Sequence, residues 1–353
     1  MYGTIEVEDI LADLLDRVPD DIDKREGSII YNALAPCATE LQKMYKELQV
    51  LMDETFADTA SMQYLMKRAA ERGIQLKEAT HATIRGVFTP ETVDVLDKRF
   101  SEKDLIYAVD EKIADGQYML RCETPGEPGN LHTGQLIPID YVEGLETANI
   151  AELLIPGEDE ETTEQLRKRY FDSLNTTGFG GNIAGYKQWV NDINGVGGVK
   201  VYPVWNGGGT VKLVIISSNY GEPSQELISS VQTAVDPVQN HGEGMGIAPI
   251  GHVVTVTGVF AAVINVATSF TYADGWTWDD VKPYAEQTVD TYFRELAEAW
   301  ADSENLIVRI SQLESRFLTM PGIVDVSNTR LNGAAQNAEL GADSIPERGN
   351  ISG

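Results

Sequence analysis

The sequence predicts a multidomain α+β protein: an N-terminal helical segment with a coiled-coil-like helix, a small β-barrel domain and two α+β domains. Three observations carry this. Between Ser28 and Phe56 the apolar residues Ile30, Leu34, Cys37, Leu41, Met44, Leu48 and Leu51 recur at alternating steps of four and three, the a/d seam of a helix packed lengthwise on another helix. At Ala79 this period gives way to short alternating runs separated by Gly/Pro turns, the mark of a small barrel or sandwich. Beyond Pro156 helices and strands alternate in two successive groups. The expected segments are 1–78, helical; 79–155, barrel-like; 156–247 and 248–332, α+β; and 333–353, a flexible tail.

Thr4–Val18 reads as an amphipathic helix, with Val7, Ile10, Leu11, Leu14, Leu15 and Val18 on one face, Thr4 as cap and Pro19 as stop. Ser28 caps the long helix, whose seam is flanked by Glu40, Gln42, Lys43, Lys46, Glu47, Gln49 and Asp53. A narrow apolar stripe on a helix of about 40 Å suits a partner helix better than a globular core. That partner is either the helix near Ser61–Arg72 or a helix of another chain. Pro36 lies inside the pattern, so the helix either starts near Ala35 or bends there. Met62, Leu65, Met66 and Ala69 share one face of a third helix, which Gly73 ends.

Thr83–Thr89, Val93–Phe100, Asp104–Val109, Gln117–Glu123 and Leu136–Val142 read as strands, the last at an edge because of Pro138. Helices follow at Thr163–Leu174 and Ile183–Ile193. Val199–Trp205 and Thr210–Ser217 form a hairpin through Asn206-Gly207-Gly208-Gly209. Ser224–Val235 is helical. His252–Val259 and Val263–Tyr272 are long strands, and Thr277 and Asp280 open a helix buried along Val281, Ala285, Val289, Tyr292, Leu296 and Trp300. Leu306–Ile310, a helix at Ser311–Leu318 and strand Ile323–Asn328 close the last group.

Fifty-five acidic against 27 basic residues leave a net charge of −28. Such a surface repels nucleic acid and anionic lipid, and no basic patch offsets it. No run approaches the roughly 20 apolar residues of a membrane span. Met1–Asp20, acidic and periodic, resembles neither a signal nor a transit peptide. Cys37 and Cys122 demand no disulfide, and Asn175-Thr176-Thr177 matches a glycosylation sequon without a secretory context.

The four histidines, His81, His132, His241 and His252, lack the spacing of metal ligands. His241 and His252 flank a glycine-rich loop and could meet, although His252 fits a strand start with its ring hydrogen-bonded. Gly178-Phe179-Gly180 has no preceding strand and no third glycine, so it fails the dinucleotide template. Gly242, Gly244 and Gly246 precede a strand and read as turns. The acidic run Glu158–Glu161 suits a helix N-terminus better than a metal. Trp205, Trp276 and Trp278 could mark a ligand surface, but Trp276 and Trp278 stand at a strand-to-helix turn where core edge is the simpler reading. No cofactor is expected.

Taken in order, Asp23-Lys24-Arg25-Glu26-Gly27-Ser28-Ile29-Ile30, Leu34-Ala35-Pro36, Glu40-Leu41 and Phe56-Ala57-Asp58-Thr59-Ala60 resemble the N-terminal signature of baseplate J-like proteins. These are wedge proteins of contractile phage tails and related bacteriocins. Arg167-Lys168-Arg169-Tyr170, Phe179-Gly180-Gly181-Asn182, Gly207-Gly208-Gly209-Thr210-Val211 and Ala248-Pro249-Ile250-Gly251-His252 extend the resemblance to about Asn332. It implies a structural subunit and not an enzyme, located in the baseplate of a virion or tail-like particle and assembled in a bacterial host's cytoplasm. The implied partners are a second copy within the wedge, a second wedge protein joining the helix bundle, neighbouring wedges, the central hub and sheath-proximal baseplate proteins, with neither nucleic acid nor membrane. Ile30, Leu34, Leu41, Met44, Leu48 and Leu51 are then bundle residues, and Gly180, Gly181, Asn182 and Gly251 are backbone contact points. A second reading, from another class, is a virion-associated glycan-binding or hydrolytic tail protein, which needs a convergent carboxylate pair or an aromatic groove and gains weight if Glu123, Glu127 and His132 line one cleft.

Overall fold

The structure, a computed structural model, describes residues 5–175 and 180–353. Two compact units emerge. The first comprises 1–77 and 161–175, the second 78–160 and 176–353. The expected Thr4 cap, the Gly178-Phe179 pair and the last two sequon residues lie outside the described residues.

In the first unit, α1 (Val7–Asp16) packs against α2 (Ile29–Thr55), and α3 (Met62–Ala70) against α4 (Thr163–Asn175). Ser28 caps α2 by accepting the Tyr31 amide at 3.2 Å. The helix runs unbroken through Pro36, so it does not start near Ala35. Ile10 and Leu11 of α1 are buried with Ala38 of α2, flanked by Tyr31, Leu34, Ala35, Leu41 and Tyr45. Leu65 and Ala69 of α3 enclose Leu166 of α4.

Helix α4 was expected in the segment 156–247, yet it belongs with the N-terminal helices. Two arginines fasten it there. Arg167 donates to the carbonyls of Ala57 (2.8 Å) and Ala60 (2.7 Å). Arg169 grips the buried Glu161 with two bonds of 2.7 and 2.9 Å and reaches the Gln75 carbonyl at 2.6 Å. Charge-assisted, bidentate bonds of this kind fix orientation as well as energy.

The second unit opens with a nearly closed antiparallel sheet. Its strands are β1 (His81–Thr89), β2 (Arg99–Glu102), β3 (Leu105–Ala114), β4 (Gln117–Pro125), β5 (Gly134–Gln135), β6 (Ile137–Pro138) and β7 (Thr147–Ile155), in the order β5-β7-β1-β4-β3-β2-β6. Along β1 every second residue is buried, which places Ile84 and Phe88 in a core with Phe100, Tyr107, Tyr118 and Leu120. Val93–Phe100 is not a strand: Asp97 adopts a positive φ of 59° and turns the chain, although Val93 and Val95 still plug the core. Strand β7, absent from the sequence expectations, pairs with β1.

Next come α5 (Ile183–Asn191), β8 (Val196–Pro203), β9 (Thr210–Ser217), α6 (Gln225–Val235) and β10 (Val253–Gly258). The sheet order is β10-β9-β8, with β9 antiparallel to β8 and parallel to β10. The last group holds β11 (Phe260–Tyr272), α7 (Trp278–Glu298), β12 (Ile307–Val308), α8 (Ile310–Phe317), β13 (Ile323–Leu331), β14 (Ala338–Glu339) and β15 (Ser344–Ser352). Asp280 caps α7 by accepting the Thr277 amide at 2.9 Å. Val289, Phe293, Trp300 and Phe317 are buried between these helices and the sheet β13-β11-β15.

The expected tail at 333–353 is a correction. Residues 344–352 form β15, parallel to β11, and 338–339 form β14 beside β12. Few apolar residues stand there, but Leu340, Ile345 and Ile351 are all buried in the core, and the backbone pairing supplies the rest.

Candidate interaction surfaces

Helix α2 meets α1 along Tyr31, Leu34, Ala35, Ala38, Leu41 and Tyr45, and its Gln42 amide donates to the Ile5 carbonyl at 3.2 Å. At 3.6 residues per turn this face lies to one side of the heptad seam. Helix α1 therefore sits beside the stripe, taking Leu34 and Leu41 at its edge and leaving its centre uncovered. Met44, Leu48 and Leu51 are 58%, 43% and 59% exposed, Cys37 is exposed and Ile30 half-buried. The intrachain partner anticipated from sequence was the third helix; the one observed is the first, and it covers only part of the stripe.

The glycine positions fall at one end of the β10-β9-β8 sheet. Asn182 caps α5, its Oδ1 accepting the Gly185 amide at 2.7 Å. Gly181 has φ +92°, and a Cβ there would stand 3.0 Å from the His252 ring and 3.1 Å from Pro249. Two of the loops singled out from sequence thus touch. Gly251, at φ +86°, has open space where a Cβ would be, and its amide donates to the Gly242 carbonyl at 2.8 Å. Exposed Ile183, Val204, Trp205, Met245 and Ile250 belong to these loops and the adjoining hairpin. A Cβ on Gly180 would make only an ordinary contact with Trp189, at 3.8 Å.

His241 and His252 have separate partners. His252 Nδ1 lies 2.8 Å from the Tyr186 hydroxyl, with the rings stacked at 6.0 Å. Burial, with the nearby Asp236 charge, pushes the Tyr186 hydroxyl up to about 12. His241 Nδ1 lies 2.7 Å from Asp236. Burial works to raise the Asp236 carboxyl, but donors from His241, Val254 and Gly242 outweigh it and hold the group below the usual carboxylate range. His81 Nδ1 lies 2.8 Å from the Cys122 carbonyl, and burial pushes the Cys122 thiol up.

Glu123, Glu127 and His132 have separate surroundings. Glu123 is held by Arg99 through bonds of 2.7 and 2.6 Å. The Glu127 carboxylate lies 3.8 Å from Arg294. His132 instead lines an open cavity of about 630 Å³ with Glu152 and Glu222. Trp278 stacks on Phe270 at 5.9 Å, and Trp276 covers Gly322, so both are packing residues. Among the described residues no His, Cys, Asp and Glu cluster could hold a metal ion, and no helix is long and apolar enough to cross a membrane.

A polar hub escaped the sequence reading. Lys200 donates to the carbonyls of Glu304 (3.2 Å) and Ala342 (2.7 Å) and lies over the Trp300 ring at 4.6 Å. Beside it Asp343 accepts from Tyr202 at 2.6 Å and Lys212 at 2.8 Å. The alternating polar residues of β8 and β9 were the available signal, but their partner lies more than a hundred residues away.

Residues 178–258 match the baseplate J-like central domain, and 264–353 the baseplate J-like protein C-terminal domain. Phage-like element PBSX protein XkdT of Bacillus subtilis strain 168 is 38% identical over 353 residues, covering 99% of this chain and 98% of that protein. YqbT of the same strain is 39% identical with the same coverage. Among solved structures, the sixfold-symmetrised baseplate of the anti-feeding prophage aligns with 96% of this chain and 90% of its own at 9% identity, with a TM-score of 0.43. With 38–39% identity over nearly the whole of these relatives and both domain matches, the chain belongs to the baseplate J-like family.

Proposed function

We propose that this chain is a structural wedge subunit in the baseplate of a contractile injection system, a phage tail or a tail-like bacteriocin. In this reading it links wedges into a ring around the hub and transmits the rearrangement that triggers sheath contraction. The observation that carries it is the full-length relationship to a protein of a phage-like element. The uncovered row on α2 supports it. Met44, Leu48 and Leu51 leave apolar surface in water, and burying each completely is worth about 1.5–3 kcal/mol. A helix from a second copy, or from a second wedge protein, laid along this row completes the bundle that α1 begins. The net charge of −28 keeps free subunits apart until such a contact forms. The role is mechanical rather than catalytic, with the glycine loops at Gly181 and Gly251 as contact points towards neighbouring subunits.

The test is deletion of the gene in a strain that makes the particle, followed by electron microscopy. The expected result is tubes and sheaths without assembled baseplates, restored by the unmodified chain but not by the Met44→Asp, Leu51→Asp double variant. Normal contractile particles from the deletion strain would overturn the reading.

A further inference from the structure

The outer edge of β10 is half sealed and half open. The Val253 amide donates to the Gly209 carbonyl and the Val259 amide to the Ile215 carbonyl. Odd-numbered residues of β10 therefore bond to β9, and even-numbered ones point away from it. Helix α6 and the residue that ends it, Asp236, satisfy the first of these outward groups with side chains. The Val254 amide donates to Asp236 at 2.8 Å. Gln232 donates to the Val254 carbonyl at 3.0 Å and accepts the Val256 amide at 2.8 Å. Gln232 thus stands in for a neighbouring strand.

The seal stops at Val256. Among the described residues no side chain reaches the Val256 carbonyl or the Gly258 amide, and both residues line the 630 Å³ cavity. Its far wall is β7, whose edge pairs with β5 at Asn149 and Ile150 and whose Ala148 and Leu154 carbonyls accept from the Leu136 amide and the Ser224 hydroxyl, so the open backbone groups of the groove are those of β10. Unpaired amide and carbonyl groups along a strand edge recognise one chemistry above all, an extended peptide backbone. The side chains around them narrow the choice. Glu222 is exposed at the rim and has no cationic partner among the described residues, while Glu152 is already paired with Arg85. Ile228 and Phe260, the latter 62% exposed, give the groove an apolar side.

We propose that the groove between β10 and β7 receives an extended segment of another particle subunit, which adds to β10 as a strand and places a Lys or Arg beside Glu222. The inference rests on the reading of the chain as a particle subunit. The experiment places p-benzoylphenylalanine at position 260 of the full chain and irradiates assembled particles, with cross-linked peptides mapped by mass spectrometry. The expected product joins position 260 to a second polypeptide, in a stretch containing Lys or Arg, and Glu222→Lys lowers its yield about threefold, the weight of one exposed ion pair. Cross-links confined to the chain itself, or a yield unmoved by Glu222→Lys, overturn the groove while leaving the wedge role intact. If the chain is missing from purified particles, both readings fall.

Discussion

The Lys212 ammonium donates to Asp343 at 2.8 Å across 131 residues of sequence. With the Tyr202 hydroxyl on the same carboxylate at 2.6 Å, this pair ties the start of β15 to the β8–β9 hairpin. Asp343→Ala removes the acceptor of both and is expected to destabilise the chain by about 2–3 kcal/mol, read from urea unfolding. Burial works to raise the Asp343 carboxyl, but the bonds from Lys212 and Tyr202 outweigh it and hold it below its ordinary value. The contribution is therefore present above the unfolded value of about 3.9 and is lost as pH falls through the lower folded value. The difference between Asp343→Asn and the unmodified chain should accordingly begin to shrink below about pH 4 and vanish only once pH falls below the folded value. A difference that persists undiminished in acid would contradict this assignment.

The two sides of α2 should respond differently. Met44→Asp with Leu51→Asp changes exposed positions and is expected to leave the isolated chain's stability within about 0.5 kcal/mol. If the proposed bundle forms, the same pair should abolish the complex with the second copy or second wedge protein that completes it. Leu34→Ala, against α1, should instead cost the isolated chain about 1–2 kcal/mol, below a fully buried leucine because the site is half-buried. Mass photometry and thermal unfolding on the same samples separate the two effects. Equal behaviour of both variants would mean that the stripe is not divided as described.

Gln232 seals a sheet edge, so its loss should be visible in association as well as stability. Gln232→Leu leaves the Val254 carbonyl and the Val256 amide without partners. The expected cost is about 1–3 kcal/mol, together with edge-to-edge association detected by light scattering. Gln232→Glu keeps the acceptor for Val256 but loses the donor to Val254, so it should fall between Leu and the native residue.

Gly181 and Gly251 separate strain from contact. Both have positive φ, but only Gly181 has neighbours where a Cβ would stand. Gly251→Ala should cost about 1–2 kcal/mol from backbone strain alone. Gly181→Ala should cost more and should disturb the Tyr186–His252 pair, visible as a shifted His252 ring resonance. Equal costs with no His252 shift would argue that the two loops do not touch.

Much of the local architecture was legible because its causes are local. The heptad steps of α2, the Ser28 cap, the Thr277–Asp280 capping pair and the glycine turn of the β8–β9 hairpin all lie within a few residues of what they control. Strand β7 was missed because Glu152 interrupts its apolar alternation, and because it pairs with β1, the first strand of the sheet in chain order, while β7 is the last. The glycine loops could be read as turns, but the contact of Gly181 with His252 could not, since it joins elements from opposite sides of the sheet's sequence.

The sequence by itself determined that α2 carries a narrow apolar stripe, that the chain is strongly acidic, and that helices precede a β-rich region and two mixed ones. Periodicity, capping and net charge depend only on residue order and composition. Tertiary structure decided which part of the stripe stays uncovered, because that depends on where α1 lands. It decided that α4 joins the N-terminal helices, through the reach of Arg167 and Arg169. It also decided that the last residues form β15, because Ile345 and Ile351 find a core, and Asp343 its partners, only when distant segments meet.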